Sequence, residues 1–470
     1  MRKVKYAIIG TGTSGLTALN AVRDETDSFV IINGGPLGTT CARVGCMPSK
    51  TLIQSANQYH KRTLFSEFGL KGADFLSVDD MAVLKRVRRL RDRFTGGVQS
   101  RTTDTLEDHQ FIEGFAKFIG PNQLEINGEI IEAERIIIAT GSRPVVPESW
   151  LVLGNKLITS DEIFELESLP KRVAVIGLGI IGLELGQALS RLGVEVIGFE
   201  KQKTLGGLSC PAVVDEAIKI LSNEFPIHLG VAAELEDTAA GVRVKVDGLS
   251  FEVDVILASL GRRPNIDHLD LEVAGIKLNE QGMPVFDANT MQIQDLPIFI
   301  AGDASGFRPI LHEAAYEGKI AVLNAMAFPK VQAYRRKTSL GIAFSDPEIG
   351  FFGLNYQELD LSGVEVASFN SHKNNGRAIV MAEDYGVISL YADKQTKKLI
   401  GGELIMPHAE HFTHLLAWAV ENEMTVLDLI KMPFYHPVLE EAIQSTINQL
   451  FKALYSKEER GISAELTVIP

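Results

Sequence analysis

Apolar runs that break at glycine are the first regular feature of the chain. Residues 5–9 form a short, nearly continuous apolar run that ends at Gly10-Thr11-Gly12-Thr13-Ser14-Gly15. A run of this length bounded by a turn signal predicts a buried strand. A helical stretch then covers 16–23, and a second apolar strand, 29–32, ends at Asn33. The same order returns later: a strand over 172–176, the loop Gly177-Leu178-Gly179-Ile180-Ile181-Gly182, a helix over 183–192, and a strand over 194–199 ending at Glu200. Asn33 follows Gly10 by the same 23 residues that separate Glu200 from Gly177. From about residue 340 the pattern changes to strands over 387–391 and 399–404 and helices over 411–422 and 440–454. That last part has no glycine loop and reads as a self-contained α+β module suited to an interface, most commonly a symmetric one.

One GxGxxG spacing arises easily in a chain with 42 glycines. Two copies in the same strand and helix context are a much stronger signal. The first glycine permits a tight turn and the second lets backbone approach a pyrophosphate. The third lets helix and strand pack closely, with the helix N-terminus aimed at the phosphates. Two dinucleotides are therefore expected. Glu200 suits a ribose 2′-hydroxyl and repels a 2′-phosphate, which favours NAD, although Lys201 and Lys203 partly offset that repulsion and leave NADP open. In the first copy the equivalent residue is the neutral acceptor Asn33.

Length and composition narrow the reading. A chain of 470 residues is too long for one core and implies several domains. With 46 basic and 60 acidic residues the net charge is -14, which disfavours a role based on neutralising nucleic-acid phosphates. The basic, then apolar, start resembles a signal peptide, but its apolar run breaks at once into the repeated glycine pattern. The longest uncharged apolar stretch, 173–183, is too short for a bilayer, so no membrane segment is expected. Three cysteines make no disulfide framework and point to a reducing compartment, by default the cytoplasm. The basic stretch 85–91 is expected to be a solvated or dimer-contacting helix face. Cys210 is read as a bystander in a loop without a partner.

Chemistry concentrates in Cys41-Ala42-Arg43-Val44-Gly45-Cys46-Met47-Pro48-Ser49-Lys50. Zinc needs two further ligands, and no matching cluster accompanies the pair, so no metal is expected. A helix N-terminus with Lys50 or Arg43 nearby favours a thiolate, and thiolate redox chemistry explains the pair better.

This segment resembles the redox centre of the class I pyridine nucleotide-disulfide oxidoreductases, most closely their dihydrolipoamide dehydrogenase branch. Gly114-Phe115-Ala116, Ala139-Thr140-Gly141, the segment 261–265, Ala301-Gly302-Asp303, His312-Glu313-Ala314 and the segment 436–441 follow in that family's order, so the resemblance covers nearly the whole chain. It implies an α/β fold: two Rossmann-like dinucleotide-binding domains, for FAD (1–148 and 271–338) and NAD (149–270), and a C-terminal α+β dimerisation domain (339–470). FAD would use Gly10, Gly12, Ser14, Gly15, Asn33, Thr40, Lys50, Ala116, Thr140, Gly141 and Asp303. NAD would use Gly177, Gly179, Ile180, Gly182, Glu200 and Gly261. Cys46 would face the flavin as the charge-transfer thiolate and Cys41 would exchange with substrate. Lys50 would pair with Glu184 near the flavin. His436 would act as the base, oriented by Glu441, and would reach Cys41 from the other subunit of an obligate homodimer.

The implied reaction is dihydrolipoamide oxidation by NAD, with service to a 2-oxo acid dehydrogenase complex, on a lipoyl domain or a small disulfide, left open. A reductase of another disulfide is the alternative within this chemistry. A non-catalytic nucleotide-binding subunit or redox sensor predicts loss of a chemical residue, and all six are present; a transhydrogenase does not need the thiols. The chain departs from the family at Thr39 in place of glycine, at Asn33 in place of an acid, and at Val438 in place of threonine. Mercuric reductase is disfavoured because no second cysteine pair lies near the C-terminus, and glutathione reductase by Glu200.

Overall fold

The computed structural model describes residues 1–370, 375–461, 464 and 466. Its first unit is a seven-stranded sheet in which Arg2–Ile9 pairs in parallel with Phe29–Asn33 on one side and Glu129–Ile138 on the other. Ile298–Ile300 returns to this sheet late in the chain and pairs in parallel with Glu129–Ile138. The second unit repeats the plan, with Arg172–Ile176 between Glu195–Glu200 and Val255–Ala258, all parallel. Strands buried on both faces explain the unbroken apolar runs: residues 7–9 and 173–176 are all buried.

Both helices start earlier than the periodicity suggests, at Thr13–Glu25 rather than 16–23 and at Ile180–Arg191 rather than 183–192. The reason is local. The second glycine of each loop is the N-cap residue, so the third, Gly15 or Gly182, lies inside the first helical turn. A glycine there looks like a breaker in sequence but is a packing requirement in space.

The chain crosses between the two units twice, and the crossings pair with each other as a short antiparallel ladder of Ser142–Pro144 on Arg262–Pro264. Ile266 and Leu269 pack into the core of the first unit with Leu271. The return to that unit thus comes just after Pro264, ahead of the boundary at 271 expected from sequence. The third unit is a five-stranded antiparallel sheet ordered Leu340–Ala343, Glu348–Gly353, Leu399–Met406, Val387–Asp393, Val364–Asn370. Helices Ala409–Glu421 and Glu441–Leu454 cover it, close to where the periodicity puts them.

One apolar core joins the units. Leu52, Ile53 and Ala56 of the helix Cys46–His60 share it with Leu185, Ala188 and Leu189 of the second unit and with Ile349 and Tyr391 of the third. Burial of this helix between units fixes the dithiol at its N-terminus relative to both nucleotide loops. No described helix is long and apolar enough to cross a membrane.

Candidate active site

Cys46 is the first residue of the 15-residue helix Cys46–His60, and Cys41 lies in the short helix Thr40–Arg43 just before it. Both are free thiols and partly buried. Cys46 is pulled down to about 7: a hydrogen bond from Cys41 is the largest cause, opposed by burial, and Lys50 adds to it. Cys41 is pushed far up, first by that same hydrogen bond and then by burial. The reduced pair therefore stores its negative charge on Cys46 and its proton on Cys41, and the helix N-terminus favours that distribution.

Lys50, one turn along, points its ammonium at both oxygens of Glu184, at 2.7 and 2.9 Å. Glu184 is only 3% exposed and also accepts the backbone N–H of Phe344 at 2.8 Å, while Lys50 lies over the Phe344 ring. This ion pair joins the redox helix to the second unit and to the third. A buried carboxylate so paired is costly to strand, so removing either partner disturbs the position of the other.

Thr39 stands at φ 59, ψ 148, a region that only glycine enters without strain. Its Oγ1 accepts the backbone N–H of Ala42 at 3.3 Å and caps the turn that carries Cys41. The departure from glycine at this position thus exchanges backbone ease for a side-chain cap.

His436 Nδ1 lies 2.9 Å from Glu441 Oε1, and the backbone N–H of Val438 donates to Glu441 Oε2 at 3.3 Å. The hydrogen bond from His436 holds the Glu441 carboxyl below its ordinary value. The imidazole is 78% exposed, and this pair sits on the third unit with no bond to the dithiol of its own chain. The structure brings together the three expected pairs, Cys41 with Cys46, Lys50 with Glu184 and His436 with Glu441, but not the third with the first.

The two glycine loops have dinucleotide geometry. A Cβ on Gly15 would lie 2.0 Å from the Gly10 carbonyl oxygen, and one on Gly182 would lie 1.9 Å from that of Gly177. Gly12 and Gly179 face open space at ordinary contact distance or beyond. Glu200 accepts the N–H of Leu178 at 2.8 Å and of Gln202 at 2.9 Å, which aims its carboxylate across the second loop. Asn33 takes the corresponding place in the first, with its oxygen accepting from Thr11 Oγ1 at 2.9 Å.

In the first unit, Thr140 Oγ1 is buried with no partner among the described residues, next to Gly141 at φ 69. An orphaned hydroxyl beside the first loop fits a polar ligand there. Thr40 begins the short helix that carries Cys41, and Ala116 is buried beside the exposed ring of Phe115. Across the second loop, Ile180 opens the helix and Gly261 turns at φ 97. Ser14, in the first loop, also meets protein groups. Its hydroxyl donates to the Ala301 carbonyl at 3.3 Å, and its backbone packs against Gly318 of the helix Leu311–Ala327.

Sequence reasoning missed the residues that hold Asp303. Ser142 Oγ donates to Asp303 Oδ2 at 2.6 Å, and Arg262 Nε donates to Ser142 Oγ at 2.8 Å. Behind them, buried Glu317 accepts the N–H of Gly302 at 2.8 Å and pairs with Arg336. Ser142 follows Thr140-Gly141 directly and Arg262 follows Gly261, so adjacency to a motif was the only signal available. Cys210 also differs from expectation. It is 2% exposed, and its N–H donates to buried Glu403 at 2.8 Å, which makes it an anchor between the second and third units. The basic stretch divides as well: Arg86 binds the Thr51 carbonyl, Arg88 the Leu166 carbonyl and Arg91 the Glu165 carboxylate. Those three cross-link the helix Asp80–Gln99 to its neighbours, while Lys85 and Arg89 are exposed.

Two sheets with parallel strands at their glycine loops, a dithiol at a helix N-terminus between them and an appended α+β unit define a flavoprotein disulfide oxidoreductase. Comparison with known proteins agrees. Residues 4–318 match the family model "Pyridine nucleotide-disulphide oxidoreductase", and residues 340–447 match its dimerisation domain. The chain belongs to this family, whose members use FAD and NAD(P), and its dimerisation domain supports a homodimer. It is 29% identical to the dihydrolipoyl dehydrogenase of Geobacillus stearothermophilus, over 92% of this chain and 93% of that one. It is 31% identical to the mercuric reductase of Staphylococcus aureus, over 90% of this chain and 78% of that one. Among solved structures, LpdA of Mycobacterium tuberculosis superposes with a TM-score of 0.82 at 24% identity, covering 95% of this chain and all of that one. The HOCl-induced flavoprotein disulfide reductase RclA of Escherichia coli gives 0.81 at 22%, covering 96% of this chain and all of that one.

Proposed function

We propose that the protein oxidises a dithiol with NAD through Cys41 and Cys46, in the manner of dihydrolipoamide + NAD to lipoamide + NADH. The observation that carries this reading is the placement of Cys41 and Cys46 at the N-terminus of the helix Cys46–His60, with the Lys50 ammonium held one turn along by buried Glu184. In the oxidised enzyme a substrate thiolate attacks Cys41, a new sulfur–sulfur bond forms, and the Cys41–Cys46 bond breaks with Cys46 leaving as thiolate. The second substrate thiol then displaces Cys41 and closes the substrate disulfide. His436 of the partner subunit takes the proton, and Glu441 fixes which imidazole nitrogen is free to do so.

FAD, when bound, would supply the two-electron chemistry that links the dithiol to the nicotinamide. The first loop, Asn33, Thr140 and Asp303 would hold it, with Ser142 bonded to the Asp303 carboxylate and Arg262 bonded to Ser142. Glu184 fixes the Lys50 ammonium beside Cys46, and that ammonium favours the thiolate while the Glu184 charge itself opposes it. Glu200 selects a ribose hydroxyl, so NAD is the partner of the second loop. With NADH in excess the same residues run as a disulfide reductase, a reading that the likeness to mercuric reductase also favours. A dithiol that must cycle suits the reducing cytoplasm, and the likeness to dihydrolipoyl dehydrogenases supports service to a 2-oxo acid dehydrogenase complex.

The test is lipoamide turnover in Cys46→Ser, expected to fall on the order of 10⁴-fold. In the reduced wild type, absorbance from the Cys46 thiolate should be present above pH 7 and fade as pH falls through about 7. Lipoamide turnover that survives Cys46→Ser refutes the mechanism.

A further inference from the structure

A cavity of about 920 Å³ reaches Cys41, between the helix Thr13–Glu25 and the helix Asp80–Gln99. Arg23, Arg93 and Arg101 line it, and no acidic residue does. That lining runs against the composition of the whole chain, in which acids outnumber bases 60 to 46. Among the described residues none of the three pairs with a carboxylate, and Arg23 has only a long contact of 3.4 Å to Thr105 Oγ1. Arg86, Arg88 and Arg91 of the same helix are all committed to protein acceptors. Arg23, Arg93 and Arg101, which have no such carboxylate partner among the described residues, line the same cavity as Cys41.

Spacing supports the same reading. Arg93, Gly97 and Arg101 fall at i, i+4 and i+8, on one side of the helix and its continuation. A Cβ on Gly97 would meet only Arg101 Nη2, at 3.5 Å, so nothing in the fold requires glycine there. Glycine in a helix interior costs about 1 kcal/mol relative to alanine. What it leaves is an open lane between two arginines. Leu16, Phe94 and Leu311 supply an apolar wall to the same cavity.

We propose that this cavity selects a dithiol or disulfide whose carbon chain carries a carboxylate, held by Arg23, Arg93 and Arg101 while its sulfurs meet Cys41. The proposal rests on the dithiol reading above and names the substrate class for it: a free acid rather than a neutral amide. Guanidinium forks match carboxylates in geometry as well as charge. The reaction balances as dithiol + NAD⁺ to disulfide + NADH + H⁺, with the carboxylate unchanged.

Dihydrolipoate and dihydrolipoamide test it on the FAD-loaded homodimer, since they share the dithiol and carbon chain and differ in the carboxylate. In the wild type, kcat/KM is expected to favour the acid about tenfold, or about 1.4 kcal/mol. The double variant Arg93→Gln, Arg101→Gln is expected to bring the ratio close to one, mainly through KM for the acid. Gly97→Leu is expected to raise the melting temperature yet slow both substrates, because the side chain fills the lane without disturbing the fold. FAD content and dimer mass report whether each variant is intact. Equal kcat/KM in the wild type overturns the proposal, as does a preference that survives loss of the arginines while the dimer weakens. Turnover of neither substrate by the wild type sinks the dithiol reading itself, and this proposal with it.

Discussion

The glycine loops of the two nucleotide-binding units share one backbone plan and differ at the end of the strand that follows. Gly10 N donates to Ile32 O at 2.7 Å, and Gly177 N donates to Phe199 O at 2.8 Å. Ala139 N donates to Ile9 O, and Ser259 N to Ile176 O, both at 2.8 Å. In each unit a Cβ on the first glycine would run into a carbonyl of the crossing strand's end, at 2.2 Å from Ala139 O and 2.4 Å from Ser259 O. Backbone contacts at the first and third glycines thus recur in both loops, which is why their glycines sit at matching positions despite different neighbours. The strand ends are free of that constraint, and there the units diverge. Glu200 offers a charged acceptor held by two backbone N–H groups, whereas Asn33 offers a neutral one held by the hydroxyl of Thr11. On the proposed reading, shared backbone geometry would make a dinucleotide site, and the strand end would set which dinucleotide it prefers and how tightly.

The sharpest way to break this comparison is to damage the same position in both loops. Gly15→Ala and Gly182→Ala each place a methyl about 2 Å from a carbonyl oxygen and should cost about 3 kcal/mol locally. Gly15→Ala is expected to be purified without flavin absorbance. Gly182→Ala is expected to keep its flavin and lose reduction by NADH on the order of 10²-fold. If both variants lose the same cofactor, the assignment of one dinucleotide to each loop is wrong.

The parts legible in the sequence are those whose partners lie within a few residues or recur in a fixed pattern. The glycine loops, the Cys41 to Lys50 segment and the five-residue step from His436 to Glu441 are of that kind. So was the tripartite fold, because apolar runs and turn signals are local. Asp303 was readable, but not what holds it: Ser142 lies 161 residues away and meets it through a ladder that no pattern announces. Ser14 is placed at the cofactor loop by its position in the motif, and its hydroxyl bond to the Ala301 carbonyl, 287 residues away, has no local sequence signal. The arginines around Cys41 come from two helices, and sequence spacing could only describe the basic helix as one face. Packing splits it into bound and unbound arginines. Boundaries erred where one residue does two jobs, as at Gly15 and Gly182.

Glu200 is the next place to test the difference. Glu200→Gln keeps an acceptor for one backbone N–H, removes the charge that repels a 2′-phosphate and weakens the bond to a ribose hydroxyl. Steady-state kinetics should show the NADH to NADPH preference falling on the order of tenfold, with exposed Lys201 and Lys203 available to the added phosphate. An unchanged ratio means that selection lies elsewhere on the second unit.

The smallest effect is expected from making the first strand end resemble the second. Asn33→Asp keeps the oxygen that accepts from Thr11 and replaces the amide nitrogen with a charged acceptor. A charge-assisted bond to a ribose hydroxyl is stronger than a neutral one by about 1 kcal/mol, which by itself tightens FAD about fivefold. The substitution also removes the amide's bond to the Gly35 carbonyl and sets a carboxylate oxygen against it. The net gain is therefore expected to be only two- to threefold, measured as the Kd for FAD added back to the flavin-free protein. Looser binding in Asn33→Asp means that Asn33 serves to tie down the turn at Gly35. The two strand ends would then differ in kind, with only the second reading a sugar.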